Sequence, residues 1–214
     1  MEQTPQSHIN EARRILKESG WDEARETYYK ALRVYLDDKD KYREELADLY
    51  LEMAQVVFQL EAWDHMTGKK NLMEDTSRTL TYLIEAGNLF SDLSKRNPGG
   101  YGYQTALVYK IFGSLYTRFE EYDRASALFE EALAAMDALE TKTGEMEFTH
   151  ADLLIDYGIL WYEHLSDPDR SLASARKAET ILSSLSKSHP EICENPAFEE
   201  LEVSISDLKM LNNN

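Results

Sequence analysis

The chain has 214 residues and a mass of 24.7 kDa, enough for one good core, built as a compact domain or a short array. Nine glycines and five prolines are few, which favours helices over strands and turns. A net charge of −17 and a pI of about 4.7 repel nucleic acid and anionic membranes. A basic peptide, or a basic patch on another protein, is the better electrostatic match.

Cys193 is the only cysteine, so no intrachain disulfide can form. The opening MEQTPQSHINEARR is polar and has no apolar stretch of the kind a signal peptide carries. No apolar run approaches the ~18 residues of a membrane span. The expectation is a cytoplasmic protein with no membrane partner.

In chain order, Thr4 or Ser7 can cap a first helix with Ile9, Ala12, Ile15 and Leu16 on one face, and Gly20 ends it. A second helix follows with Trp21, Ala24, Tyr28 and Ala31. Asp37 to Asp40 form a polar break. A long helix then carries Tyr50, Met53, Ala54 and Val57. After DHMTGKKNLMED, Thr76 or Ser77 can cap a helix with Thr79, Leu83 and Ala86, which Asn97-Pro98-Gly99-Gly100 stops. The stretch Tyr109–Leu133 has Phe112-Gly113, Tyr116, Tyr122, Ala125, Phe129 and Ala132. Next come Leu154, Tyr157-Gly158 and Trp161, a DPDR turn with Asp167 or Asp169 as cap, and then Ser171, Ala175 and Ala178. Pro190 and Pro196 bracket a linker before a last amphipathic helix, and Asn212 to Asn214 are expected to fray.

The residues from Phe112 to Ala132 have the spacing of an aromatic-Gly-x₂-Tyr first helix followed by an Ala-x₃-Phe second helix. The stretch resembles one repeat of the tetratricopeptide (TPR) family. Trp21, Ala24, Tyr28 and Ala31 have the offsets of Tyr122, Ala125, Phe129 and Ala132. Laid along the chain, the pattern gives repeats at about 6–38, 42–96, 102–141 and 148–187, with a capping helix at about 196–211. The second-helix alanines at 31, 86, 132 and 178 are 55, 46 and 46 residues apart, against a usual period of 34. The helices are therefore expected to be longer than usual, as in kinesin light chains and bacterial peptide-sensing regulators. The 62–76 segment departs from the tight turn of the family: 25 residues separate Ala54 from Thr79 where 12 separate Gly113 from Ala125. The resemblance implies an all-α fold, a single domain over 1–214, built as a right-handed superhelix of antiparallel helix pairs.

No catalytic constellation emerges. Glu147-x-x-His150 has the ligand spacing of ferritin-like di-iron bundles, but those need a second such motif and two further glutamates. Asn97-Pro98-Gly99-Gly100-Tyr101-Gly102 and Thr67-Gly68-Lys69-Lys70 lack the rest of a phosphate-binding loop. Cys193 has only His189 nearby, too little to make a nucleophile. Neither enzymatic activity nor a cofactor or metal is expected. Tyr28, Tyr50, Tyr109, Tyr116, Tyr122 and Tyr157 occupy positions the repeat uses for packing.

The resemblance also places a concave groove, lined by first-helix positions three before and one, four and five after the small residue. These are Ile9, Arg13, Leu16 and Lys17; Leu51, Gln55, Phe58 and Gln59; Lys110, Ser114, Thr117 and Arg118; and Ile155, Ile159, Tyr162 and Glu163. Of these, Arg13, Lys17, Gln55, Phe58, Lys110, Ser114, Arg118 and Tyr162 are the candidate partner-binding residues. A carboxylate clamp of the chaperone-binding type is not expected, because its asparagine positions hold Arg13, Gln55, Ser114 and Ile159. The function implied is that of a non-enzymatic adaptor for a protein or peptide of basic character. The alternatives are an acidic chaperone for a secreted or aggregation-prone client, and a self-associating scaffold, a homodimer docked through the exposed end of the array.

Overall fold

The structure, a computed structural model, describes residues 4–67, 72–97 and 100–211, with the side chains of 61–67 and 72–75 outside the description. The described residues are helical, with no strand, and the helices pack in adjacent pairs. The chain divides into two compact units, Met1–Gln104 and Thr105–Asn214.

The first unit holds α1 (Pro5–Ser19), α2 (Trp21–Asp37), α3 (Arg43–Thr67) and α4 (Leu72–Arg96). Thr4 is the cap of α1: its Oγ1 accepts from the Ser7 amide at 3.2 Å, and Pro5 sits at the first helical position, where no amide is needed. Gly20 ends α1, its amide reaching the Leu16 carbonyl at 3.1 Å with φ of 93°. That left-handed backbone is cheap only for glycine, and it lets α2 begin at the next residue. Ala12 of α1 and Ala24, Tyr28 and Ala31 of α2 are fully buried between the two helices. In the second pair Ala54, Thr79, Leu83 and Ala86 have the same fate.

The extra length of the second pair goes into helix. α3 continues to Thr67 and α4 begins at Leu72, so each is 25 residues long. Of the expected 62–76 insertion, only the tip at 68–71 lies outside the described residues, along with most of Thr67-Gly68-Lys69-Lys70. Pro98, Gly99 and Asn212 to Asn214 lie outside them too.

The second unit holds α5 (Gly102–Arg118), α6 (Tyr122–Asp137), α7 (Gly144–Glu163), α8 (Pro168–Ser188) and α9 (Pro196–Leu211), with a 3₁₀ turn at Pro190–Glu194. Thr143 caps α7 through the Met146 amide at 3.3 Å, which starts the helix ahead of Phe148. Asp167 caps α8 through the Arg170 amide at 3.0 Å. Ala125, Phe129, Ala132, Ser171, Ala175 and Ala178 are all buried, matching their counterparts in the first unit. α9 buries Phe198, Leu201, Ile205 and Leu208 against Leu154, Ile155, Leu182 and Leu185 of α7 and α8.

Of the six tyrosines at packing positions, Tyr28, Tyr50 and Tyr157 are buried, while Tyr109, Tyr116 and Tyr122 are half-buried. Tyr116 meets Phe119 edge-on at 6.2 Å, and Tyr122 stacks on His164 at 4.2 Å beside the α5–α6 and α7–α8 turns.

Gly113 is required by close approach. A Cβ there would lie 2.9 Å from the ring of Phe129, a buried side chain on α6 with nowhere to retreat. Gly113→Ala is expected to cost about 2 kcal/mol of stability, as overpacking does in a filled core. Gly158→Ala should cost less, since its Cβ would meet the Leu208 Cδ1 at 3.2 Å, the mobile end of a side chain. Paired urea melts check the order of the two. Equal losses would count against the close α5–α6 approach.

Candidate functional site

The eight candidate residues fall on the first helices of the pairs, four in each unit. In the first unit Arg13 is engaged. Its Nε and Nη2 donate to the two carboxylate oxygens of Glu52 at 2.7 and 2.6 Å, a bidentate bridge from α1 to α3. The Tyr28 hydroxyl donates to the same Glu52 Oε1 at 2.9 Å. The hydrogen bonds from Glu52 hold the Arg13 pKa above its ordinary value, while burial and then Glu52 raise that of Tyr28. Lys17 is exposed; Gln55 and Phe58 are half-buried on α3. Lower on α3, desolvation and the neighbouring Glu44, Glu45 and Glu52 push the Asp48 carboxyl up.

In the second unit Lys110 reaches from α5 to α7. Its Nζ donates to Asp152 Oδ2 at 2.6 Å and lies 3.0 Å from Asp156 Oδ2. Desolvation works against the ammonium, but Asp156 and Asp152 outweigh it and hold the lysine pKa above the ordinary value. Burial pushes the Asp156 carboxyl up, and Lys110 offsets only part of that. Ser114 returns its hydroxyl to the Lys110 carbonyl at 3.1 Å, an internal helix contact. Arg118 is exposed in the last turn of α5, and Tyr162 is half-buried against the core shared by α7, α8 and α9.

The two units therefore repeat one device. Glu52 stands two residues before the small Ala54, and Asp156 two before Gly158. Each receives a cation from the first helix of the preceding pair. Glu52, Asp152 and Asp156 escaped the sequence reading. Their only local signal is acids on otherwise apolar helix stretches: Asp152 and Asp156, four apart, interrupt the apolar run of α7.

His150 is a buried ionisable group outside these bridges. It is 3% exposed, and its Nε2 has no hydrogen-bond partner. Asp137 Oδ1 is 3.4 Å from that nitrogen, and the Asp137 carboxylate is held by Lys177 Nζ at 3.1 and 3.0 Å. Desolvation, then Lys177, push the imidazole down to about 4, against the opposing pull of Asp137. Among the described residues no three His, Cys, Asp or Glu side chains converge on a common point where a metal would sit. Cys193 is half-buried, and His189 is turned to Glu191 Oε1 at 3.0 Å. No described helix is long and apolar enough to cross a membrane.

No protein-family model matches the chain, and no curated protein sequence matches it.

Proposed function

We propose that the chain is a TPR-like, non-enzymatic adaptor that binds a segment of another protein on its first helices. The observation that carries this reading is a division of labour along those helices. The small residues Ala12, Ala54, Gly113 and Gly158 are buried in the pairing. The positions beside them carry Arg13, Lys17, Gln55, Ser114 and Arg118, polar side chains that are half-buried or exposed. A chain of net charge −17 favours a segment of basic character, extended or helical, and a cytoplasmic setting belongs to the same reading.

Two of the candidate cations are set aside first. Lys110 and Arg13 hold carboxylates of their own unit, so their reversal perturbs the fold. Lys17 and Arg118 are exposed and suit a binding test. A photo-crosslinking amino acid placed at Lys17 or Arg118 in cells should give one discrete adduct with another protein. The same group at Arg33 or Glu131, exposed on the second helices α2 and α6, should not. Charge reversal at Lys17 and Arg118 should then weaken the captured complex by more than ~1 kcal/mol. Adducts equally strong at Arg33 and Glu131 would sink the assignment.

A further inference from the structure

The terminal helix α9 is apolar on two faces. Phe198, Leu201, Ile205 and Leu208 turn inward onto α7 and α8. At 100° per residue, Val203 and Met210 share one direction, and it lies half a turn from the buried face. Val203 is 54% exposed and Met210 57%, with Leu211 beside them at 48%. Six large hydrophobic side chains are exposed among the described residues, and this one helix of 16 residues carries three of them.

The surroundings of that stripe are acidic. Glu199 and Glu200 stand one turn before Val203, and Asp207 lies between Val203 and Met210; all three are exposed. Lys209, the one cation of α9, reaches back to Glu179 of α8 at 2.8 and 2.9 Å. The earlier helices bury their apolar stripes against a hairpin mate. α9 leans on α7 and α8, and Val203, Met210 and Leu211 on its outer side stay about half exposed.

We propose that the outer face of α9 is a docking site for an amphipathic helix of a partner protein that carries Lys or Arg beside its apolar stripe. The occupant follows from charge. A second copy related by a two-fold axis would set Glu199, Glu200 and Asp207 against themselves, and an anionic lipid surface would meet the same repulsion. A basic amphipathic helix covers Val203 and Met210 and answers the acids on either side. Its residues belong to α9 and not to the first helices that carry Lys17 and Arg118.

The test uses the full chain and a fluorescein-labelled helical peptide of leucine and lysine with a leucine stripe, followed by anisotropy at physiological salt. Saturable one-to-one binding is expected. Val203→Ser with Met210→Ser leaves the charge unchanged and sits on exposed positions, so the variant should melt as the wild type does yet bind at least tenfold more weakly. Val34→Ser, at an exposed apolar position on α2 that neither reading uses, should leave this peptide's affinity unchanged. A peptide with glutamate in place of lysine should not bind. Absence of binding, equal affinity in the double-serine variant, or equal binding of the glutamate peptide would overturn the proposal. So would a dimer in sedimentation that the double-serine variant abolishes, because the face would then belong to a second copy.

Discussion

Lys110→Met is expected to lower the stability of the chain by about 3 kcal/mol at pH 7, the usual cost of removing one member of a largely buried ion pair. Methionine keeps the length of the side chain, so the loss isolates charge from packing. It leaves Asp152 and Asp156, one turn apart on α7, without the ammonium that lies 2.6 and 3.0 Å from them. Their side chains keep only about a third of their exposure, so water replaces the lysine incompletely. Two further measurements separate this account from a simple packing defect. Asp152→Asn with Asp156→Asn, added to Lys110→Met, should restore most of the loss, because neutral amides need no counter-charge. Acidification should also narrow the gap to wild type. The Asp156 carboxyl is already raised by burial, and Lys110 opposes that rise; without the lysine it rises further, and a group with a raised folded pKa gains stability as pH falls through it. Urea melts at pH 7 and pH 5 read both effects. A gap that stays constant with pH, or a triple variant no better than Lys110→Met, would refute the ion-pair account.

How far the sequence alone reached follows from the range of each interaction. The pairing register was legible because it depends on side-chain size at fixed offsets. Ala24, Thr79, Ala125 and Ser171, and likewise Ala31, Ala86, Ala132 and Ala178, are all fully buried. Each is small because a neighbouring helix passes close by, and that need is written residue by residue. Charge pairing is written nowhere locally. Arg13 finds Glu52 at 39 residues' distance and Lys110 finds Asp152 at 42, in a chain with 40 acidic and 23 basic residues to choose from. Lys110 and Arg13 stand out in the sequence as basic residues near the small positions. What they touch emerged only from the placement of α3 beside α1 and α7 beside α5. The length of the second pair was misleading for a different reason. DHMTGKKNLMED lacks the apolar periodicity that marks a packed helix, yet the backbone stays helical through Thr67 and again from Leu72. The α9 stripe shows the converse: Val203 and Met210 fit an amphipathic pattern, but their position on the outer side is fixed by which face α7 and α8 take.

A second large effect is expected from His150 as pH falls. Its folded-state pKa is pushed down to about 4, whereas an unfolded chain would bind the proton near the ordinary 6.5. Above pH 7 both states hold the neutral ring and His150 adds no pH dependence. Between 6.5 and 4 the unfolded state takes up a proton that the folded state refuses, so stability drains away as the pH is lowered. The full difference corresponds to about 3 kcal/mol once the pH is below both values. Burial away from water is the first reason the folded state refuses, and the charges around the ring are the second. Asp137 would welcome an imidazolium, but its carboxylate is already held by Lys177, and Lys142 adds to the repulsion. Asp156 works with the opposite sign, since its raised pKa lets the folded state take a proton first; comparing two variants at each pH cancels that contribution. His150→Leu removes the titration and also removes a buried nitrogen that has no hydrogen-bond partner. It should therefore cost little at pH 7.5 and become more stable than wild type at pH 5, with the two stability curves crossing or closing between those values. Parallel curves for the two proteins would mean that the buried imidazole accepts its proton after all, with Asp137 released from Lys177 to receive it.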